Sequence, residues 1–215
     1  MLSPDFLSQL AKISLDAVSQ FGFALAGSGA IREHGLIHRP TEDIDLFTIV
    51  EYKEQFGDAV GTLRSALANA GFHTDIARES QTFCRLVATD PQGTQATVDL
   101  GIDWRSEPPT QLNVGPVLNE ADAVANKVTA LFSRGEARDY LDVDSILESG
   151  AYTGLELLKL ARAAAPGFDR RMFGYRLLAV GNVPSEAVAP YGVSAEEFSQ
   201  VQRRLKRWGQ GLLGC

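Results

Sequence analysis

The chain has 215 residues, 45% hydrophobic and 22% charged, with a formal net charge of −7. A chain of this length buries about 70% of the surface of its extended form, so its core needs neither disulfides nor a structural metal. The composition excludes a disordered chain, a collagen and a disulfide-stapled miniprotein. Its two cysteines, Cys84 and Cys215, form no CxxC pair and so exclude a zinc ribbon.

The first positive charge is Lys12 and no apolar h-region follows it, which is not the pattern of a secretory signal. No stretch approaches eighteen apolar residues. The expectation is a cytoplasmic protein in a reducing compartment, with no membrane partner. Charge is uneven along the chain. Residues 1–158 carry 11 basic and 23 acidic side chains, whereas residues 159–215 carry 9 and 4. The whole-chain balance argues against nonspecific nucleic-acid binding, and the C-terminal part reopens that possibility.

In chain order, Ser3-Pro4 reads as an N-cap with proline at the first helical position. Leu7, Leu10, Ile13, Ala17 and Phe21 then recur at helical spacing up to Gly22. Residues 23–26 form a short buried strand that runs into Gly27-Ser28-Gly29 and a brief helix. Pro40 biases Arg39 away from helix, so a loop leads to the next strand. There Ile44, Leu46, Thr48 and Val50 face one side, and Asp43, Asp45 and Phe47 the other. A helix over about 56–70 ends at Gly71, and strands follow at 72–77, 83–88 and 95–102. A polar loop with Pro108 and Pro109 marks the boundary between an αβ core over 1–110 and a helical region over 111–215. Asn119, Asp169 and the Ser194/Glu197 capping box mark helix starts in the second part, and Thr153 opens another helix there.

The chemistry concentrates in residues 25–47. Asp43 and Asp45 sit at i and i+2 of a strand, so their carboxylates share a face and repel unless a cation neutralises them. All-oxygen ligation by one or two carboxylates suits Mg²⁺, completed by waters and substrate phosphates. Gly27-Ser28 ends a buried strand and opens a helix, where backbone N–H groups can approach a phosphate. Neither a Walker A nor a Rossmann spacing is present. Asp99, mid-strand between apolar neighbours, offers a third carboxylate, with Asp103 as its rival. Two carboxylates on one strand and one on its neighbour can hold a metal pair. Lys127 lies among Val124, Val128 and Leu131, so its ammonium is expected to snorkel from a packed helix face. His34 and His38 lack a completing carboxylate and read as loop or rim residues.

Gly27-Ser28 followed by Asp43-Ile44-Asp45 resembles the signature of the DNA polymerase β nucleotidyltransferase superfamily. More narrowly, HRPTEDIDLF with the downstream KVTALFSRGEARDYLDV resembles the AbiEii/AbiGii toxin nucleotidyltransferases, including the MenT-type toxins. The match spans about residues 23–143. The resemblance implies an α+β nucleotidyltransferase fold: a mixed β-sheet flanked by helices, then a helical C-terminal region. It implies an enzyme that uses Mg²⁺ (or Mn²⁺) and a nucleoside triphosphate, CTP or another pyrimidine in the best-known cases. Some such enzymes add nucleotides to the 3′ end of tRNA and so block translation, and the resemblance implies a cognate antitoxin as partner. The implied roles are phosphate cradling by Gly27 and Ser28, metal binding by Asp43, Asp45 and Asp99, and triphosphate contact by Lys127. Asp139 matches the acid of the helical motif. Arg39 is placed to approach the triphosphate or to pair with Glu42.

Thr41, two residues before Asp43, is a candidate for regulatory phosphorylation, since a phosphate beside the carboxylates would repel nucleotide. Arg203, Arg204, Lys206 and Arg207 make a candidate RNA-binding helix. Two alternatives share the scaffold: a small-molecule nucleotidyltransferase of the aminoglycoside-modifying kind, and a non-catalytic binding or regulatory protein.

Overall fold

The structure, a computed structural model, describes residues 4–41 and 43–214. The expected cap at Ser3, the Glu42 partner of Arg39, and Cys215 lie outside these residues. Packing divides the chain into two compact units, Met1–His34 with Thr41–Glu120, and Gly35–Pro40 with Ala121–Cys215.

The first unit begins with helix α1 (Pro4–Val18), whose Leu7, Leu10, Ala11, Leu15 and Val18 form the buried stripe that the helical spacing requires. A single 3-10 turn carries the chain to Gly22, whose φ of 72° supplies the left-handed cap. Strand β1 (Ala24–Leu25), helix α2 (Gly27–Glu33) and strand β2 (Asp43–Thr48) follow. Strand β2 stops at Thr48, and Val50 stands in a 3-10 segment with 66% of its surface exposed, so it does not share the inner face with Ile44 and Leu46 as expected. Helix α3 (Phe56–Asn69) leads to strands β3 (His73–Glu79), β4 (Phe83–Thr89) and β5 (Gln95–Ile102). The stretch beyond Pro109 does not turn directly to helix. It first returns to the sheet as β6 (Thr110–Leu112) and β7 (Gly115–Val117), and the two units part at Glu120 rather than near residue 110.

Among the described residues the sheet has seven strands in the order β3-β4-β5-β2-β1-β7-β6. It is mixed: β2 runs parallel to β5 and β1 parallel to β7, while the remaining neighbours are antiparallel. Ile44, Leu46, Cys84, Leu86, Val98 and Leu100 fill one face and are fully or nearly fully buried. Helices α1 and α3 bury their apolar sides in the same core. The period-2 alternation therefore sends Asp43, Asp45 and Asp99 to the opposite face.

The second unit is helical. Helix α4 (Glu120–Ser133) is followed by α5 (Ala137–Glu148), α6 (Gly154–Ala164), α7 (Arg170–Leu178) and α8 (Ala195–Leu213). Thr153 and Ser194 form capping boxes with Glu156 and Glu197, and Asp169 accepts from the Met172 N–H. Each such cap is worth about 1 kcal/mol. The core gathers Tyr140, Phe173, Leu177, Phe198 and Leu205. Its Tyr140 hydroxyl donates to the Arg176 carbonyl at 3.0 Å, so the polar end of a buried ring is satisfied. Helices α7 and α8 meet at Gly174 and Gly209, where an added Cβ on Gly209 would lie 2.9 Å from the Gly174 carbonyl oxygen.

Candidate active site

The acids of the first unit are placed by strand register. Residue Asp45 pairs directly with Asp99 across the parallel β2–β5 ladder, and Asp43 pairs with Thr97. Asp43 and Asp45 are half-buried, whereas Asp99 is only 6% exposed. The turn after β1 closes on the same place. The Ala26 N–H donates to the Asp45 carbonyl at 2.8 Å, which brings Gly27 against the Asp45 side chain. Gly27 has a φ of +56°, and a Cβ there would overlap the Asp45 carboxylate. Glycine is thus required twice, for the backbone conformation and for the close approach. Ser28 follows, 5% exposed, within the first turn of α2.

Asp99 has a cationic partner. The Arg85 guanidinium, on the neighbouring strand β4, clamps it through Nε at 2.7 Å and Nη2 at 2.5 Å. The hydrogen bond to Asp99, and then the fields of Asp99, Asp43 and Asp45, hold Arg85 more firmly protonated than usual. Among the described residues no group of three or more His, Cys, Asp or Glu side chains is arranged to hold a metal ion. Asp43 and Asp45, two carboxylates on one strand face, are the side chains that could hold an ion together with a substrate. Mg²⁺ is bound in that way when substrate phosphates supply its other ligands. Asp99 as arranged serves Arg85. Asp103, the sequence rival, lies beyond the end of β5, where its N–H donates to the Thr48 carbonyl.

Thr41 is 5% exposed, and its hydroxyl accepts from Arg32 Nη1 at 3.1 Å. A phosphorylating enzyme would meet this hydroxyl only after local opening. His34 is also tied down, its Nε2 lying 2.8 Å from the Leu118 carbonyl oxygen. Burial pushes the Cys84 thiol up to about 11, so no thiolate nucleophile is available on this strand.

The other candidates stand in the second unit. Lys127 does not snorkel: it is 5% exposed, and its Nζ ends 3.0 Å from Asp142 Oδ2. Arg39 reaches the same carboxylate, with Nε 2.6 Å from Oδ1 and Nη2 2.8 Å from Oδ2, and its guanidinium lies 5.0 Å from the centre of the Tyr191 ring. Burial pushes the Asp142 carboxyl up, but the Lys127 charge and the Arg39 hydrogen bond outweigh it and hold the group below its ordinary range. Asp139, fully buried, is clamped by Arg134 at 2.8 and 2.9 Å and accepts from the Glu136 N–H as the return half of a capping box.

The four basic residues of α8 do not form one surface. Arg204 turns to Asp144 and Glu148, Arg203 and Arg207 are exposed, and Lys206 is half-buried. The structure thus brings Gly27, Ser28, Asp43, Asp45 and Asp99 together in one unit, and Arg39 with Lys127 in the other. Sequence reasoning missed Arg85 and Asp142 as central partners. Arg85 is a charged residue in an otherwise apolar strand, the one signal that pointed to it, whereas Asp142 stands among other charged residues of α5 and carries no such signal.

A mixed sheet with two carboxylates on one strand, set against a glycine-serine turn, defines a nucleotidyltransferase of the DNA polymerase β superfamily. The profile of the family described as Nucleotidyl transferase AbiEii toxin, type IV toxin–antitoxin system, matches residues 16–205, and the chain belongs to that family. It is a nucleotidyltransferase toxin. Among solved structures, JHP933 from Helicobacter pylori is similar over 100% of this chain and 94% of its own, with 18% identity and a TM-score of 0.58. A putative nucleotidyltransferase from H. pylori is similar over 99% and 96%, with 18% identity and a TM-score of 0.57. MenT4, a nucleotidyltransferase toxin from Mycobacterium tuberculosis H37Rv, is similar over 95% and 83%, with 16% identity and a TM-score of 0.55. At these identities the likeness is one of fold. No curated protein matches the chain. Among the described residues no helix is long and apolar enough to cross a membrane.

Proposed function

We propose that this toxin transfers a nucleotide from a nucleoside triphosphate to an RNA hydroxyl, with the 3′ end of tRNA as the leading acceptor, and that a cognate antitoxin restrains it. The observation that supports the reading most directly is the packing of the Asp45 carboxylate against the bare Cα of Gly27, beside Asp43 on the same face. This sets the carboxylates next to the turn whose N–H groups and Ser28 hydroxyl suit a phosphate.

Asp43 and Asp45 are the residues to hold Mg²⁺ or Mn²⁺. When bound, the ion supplies charge neutralisation on the phosphate oxygens and a more acidic acceptor hydroxyl. The chain's own part is positioning. Gly27 and Ser28 orient the departing phosphates, and the carboxylates fix where the acceptor oxygen meets the α-phosphorus. Arg85 holds the Asp99 carboxylate in place through its two hydrogen bonds. Little covalent chemistry is asked of the protein. A pyrimidine triphosphate, CTP first, is the proposed donor, and blocked aminoacylation the proposed cause of halted translation.

The test incubates the purified protein with total RNA, Mg²⁺ and each α-labelled nucleoside triphosphate in turn. Label is expected in the tRNA fraction with one pyrimidine, lost on chelation and in Asp43→Asn. Label that reaches no RNA, or full transfer by a folded Asp43→Asn protein, would overturn the reading.

A further inference from the structure

The open face of the sheet continues past the acids. Asp45, Asp99, Arg85 and Arg78 are successive partners across β2, β5, β4 and β3. Directly paired residues project to the same side of a sheet, so these four side chains form one row, two carboxylates and then two guanidiniums. The adjacent row holds Phe47, Gly101 and Phe83. The Phe83 ring is close to both cations, its centre 5.5 Å from Arg78 Cζ and 6.0 Å from Arg85 Cζ. Arg78 and Arg85 are exposed and Phe83 is half-buried. The clamp on Asp99 uses Nε and Nη2 of Arg85 and leaves Nη1 outside it. On the other side of this row, Asp43, Thr97, Val87 and Asp75 make a row ending in acids, which repels a polyanion and directs it toward Phe83.

We propose that Arg78, Phe83 and Arg85 form the platform on which the terminal nucleotides of a single-stranded RNA acceptor lie, an inference that rests on the RNA-transfer reading above. The direction follows from the chemistry. In an in-line displacement the attacking hydroxyl and the departing pyrophosphate lie on opposite sides of the phosphorus. The Gly27-Ser28 turn follows β1, on one side of the acids of β2 and β5, and β4 and β3 lie on the other side. With the departing phosphates at the glycine turn, the acceptor comes from the β4 side. Guanidiniums flanking an aromatic face then match what a single strand offers, a phosphate backbone and a stackable base. Such a platform reads no particular sequence, since every base has a π-face.

The test measures binding of a fluorescently labelled single-stranded RNA oligonucleotide to the full chain at several salt concentrations, together with nucleotide affinity and transfer kinetics. Phe83→Leu keeps apolar bulk but removes the stacking face, and is expected to weaken RNA binding roughly five- to hundredfold. Arg78→Ala is expected to weaken it and to flatten the salt dependence by about 0.7 in logarithmic slope, with Arg78→Lys restoring most of that slope. The RNA KM should rise in both variants while kcat and nucleotide affinity hold. Unchanged RNA binding in these variants, with binding lost instead in Arg203→Glu or Arg207→Glu on α8, would overturn the platform. So would a fall in nucleotide affinity in place of RNA affinity. If the wild-type protein neither binds nor labels RNA, the RNA reading falls and the platform with it. If the wild type labels RNA and the variants bind it unchanged, the platform alone falls. Arg78 is an exposed side chain, so its variants decide the matter even where Phe83→Leu folds poorly.

Discussion

The two units use the same pair of residue types to opposite ends. In the helical unit Asp142 is answered by two cations, Arg39 and Lys127, and Asp139 and Asp144 each have a bidentate arginine of their own. On the sheet face the proportion is inverted, for the charge of Arg85 is stabilised by three carboxylates, Asp99, Asp43 and Asp45. The Asp142 pairing, whose cations are buried, is a fastening, because removing the carboxylate leaves uncompensated charge in a low-dielectric interior. On the sheet face Asp43, Asp45 and Asp99 stand on one side of two adjacent strands, the arrangement on which the proposed ion site rests. Asp43 and Asp45 are half-buried, whereas Asp139, Asp142 and Asp144 are buried.

The largest expected effect tests the sheet face. Asp43→Asn should lower nucleotide transfer roughly a thousandfold, since a bound ion contributes several kcal/mol to the transition state. Its melting temperature should stay level or rise, because one of two repelling carboxylates is gone. Label transfer and thermal melting on the same preparation check this, and a joint loss of activity and stability would erase the contrast between the units.

Next in size is the converse experiment. Asp142→Ala removes the buried carboxylate that Arg39 and Lys127 share and should cost about 3–5 kcal/mol in urea unfolding. Lys127→Ala should cost less, about 1–3 kcal/mol, because Arg39 still satisfies the carboxylate. A Lys127→Ala protein as stable as wild type would show that the ammonium at 3.0 Å contributes nothing to the fastening.

The same carboxylate sets a pH dependence. Its pKa is held below the ordinary 3.8, so its contribution to stability is complete above that value and is lost as the pH falls through the lower, folded-state value. Acid unfolding below about pH 4 should therefore be less steep in Asp142→Ala than in wild type. Denaturant midpoints taken across the acid range would show it.

The smallest effect separates burial from charge altogether. The Ser14 hydroxyl on α1 is fully buried and has no hydrogen-bond partner among the described residues. Ser14→Ala should raise stability by about 1 kcal/mol and leave transfer unchanged, measured by the same unfolding curves.

Local signals in the sequence were good guides where the physics is local. The alternation in β2 put Asp43 and Asp45 on one face and Ile44 and Leu46 in the core, and the Ser194/Glu197 and Asp169 caps opened α8 and α7. The β6–β7 ribbon was missed because its strands are three residues each and Pro108, Pro109 and Pro116 crowd them. Its pairing is decided by Val117 beside Leu25, some ninety positions away in the chain. Non-local pairing also hid the partners of Asp99 and Lys127. Arg85 meets Asp99 through a ladder register, and Arg39 meets Asp142 across 103 positions, which no periodicity encodes. On α8 the basic run is adjacent in sequence, yet a step of one residue turns a side chain by 100° about the axis, so Arg204 and Arg203 part company.

The parallel ladder between β2 and β5 has a consequence for the life of the chain on the ribosome. The acid pair of β2 is synthesised by residue 48, but its partner strand is not complete until Ile102 and the neighbour of β1 not until Val117. At about 5–20 residues per second the nascent toxin passes several seconds with its carboxylates made and their frame missing. A one-residue slip in that frame would turn Asp45 into the core and Leu46 outward. A chain broken off before β5 therefore lacks the strand that sets Asp99 beside Asp45.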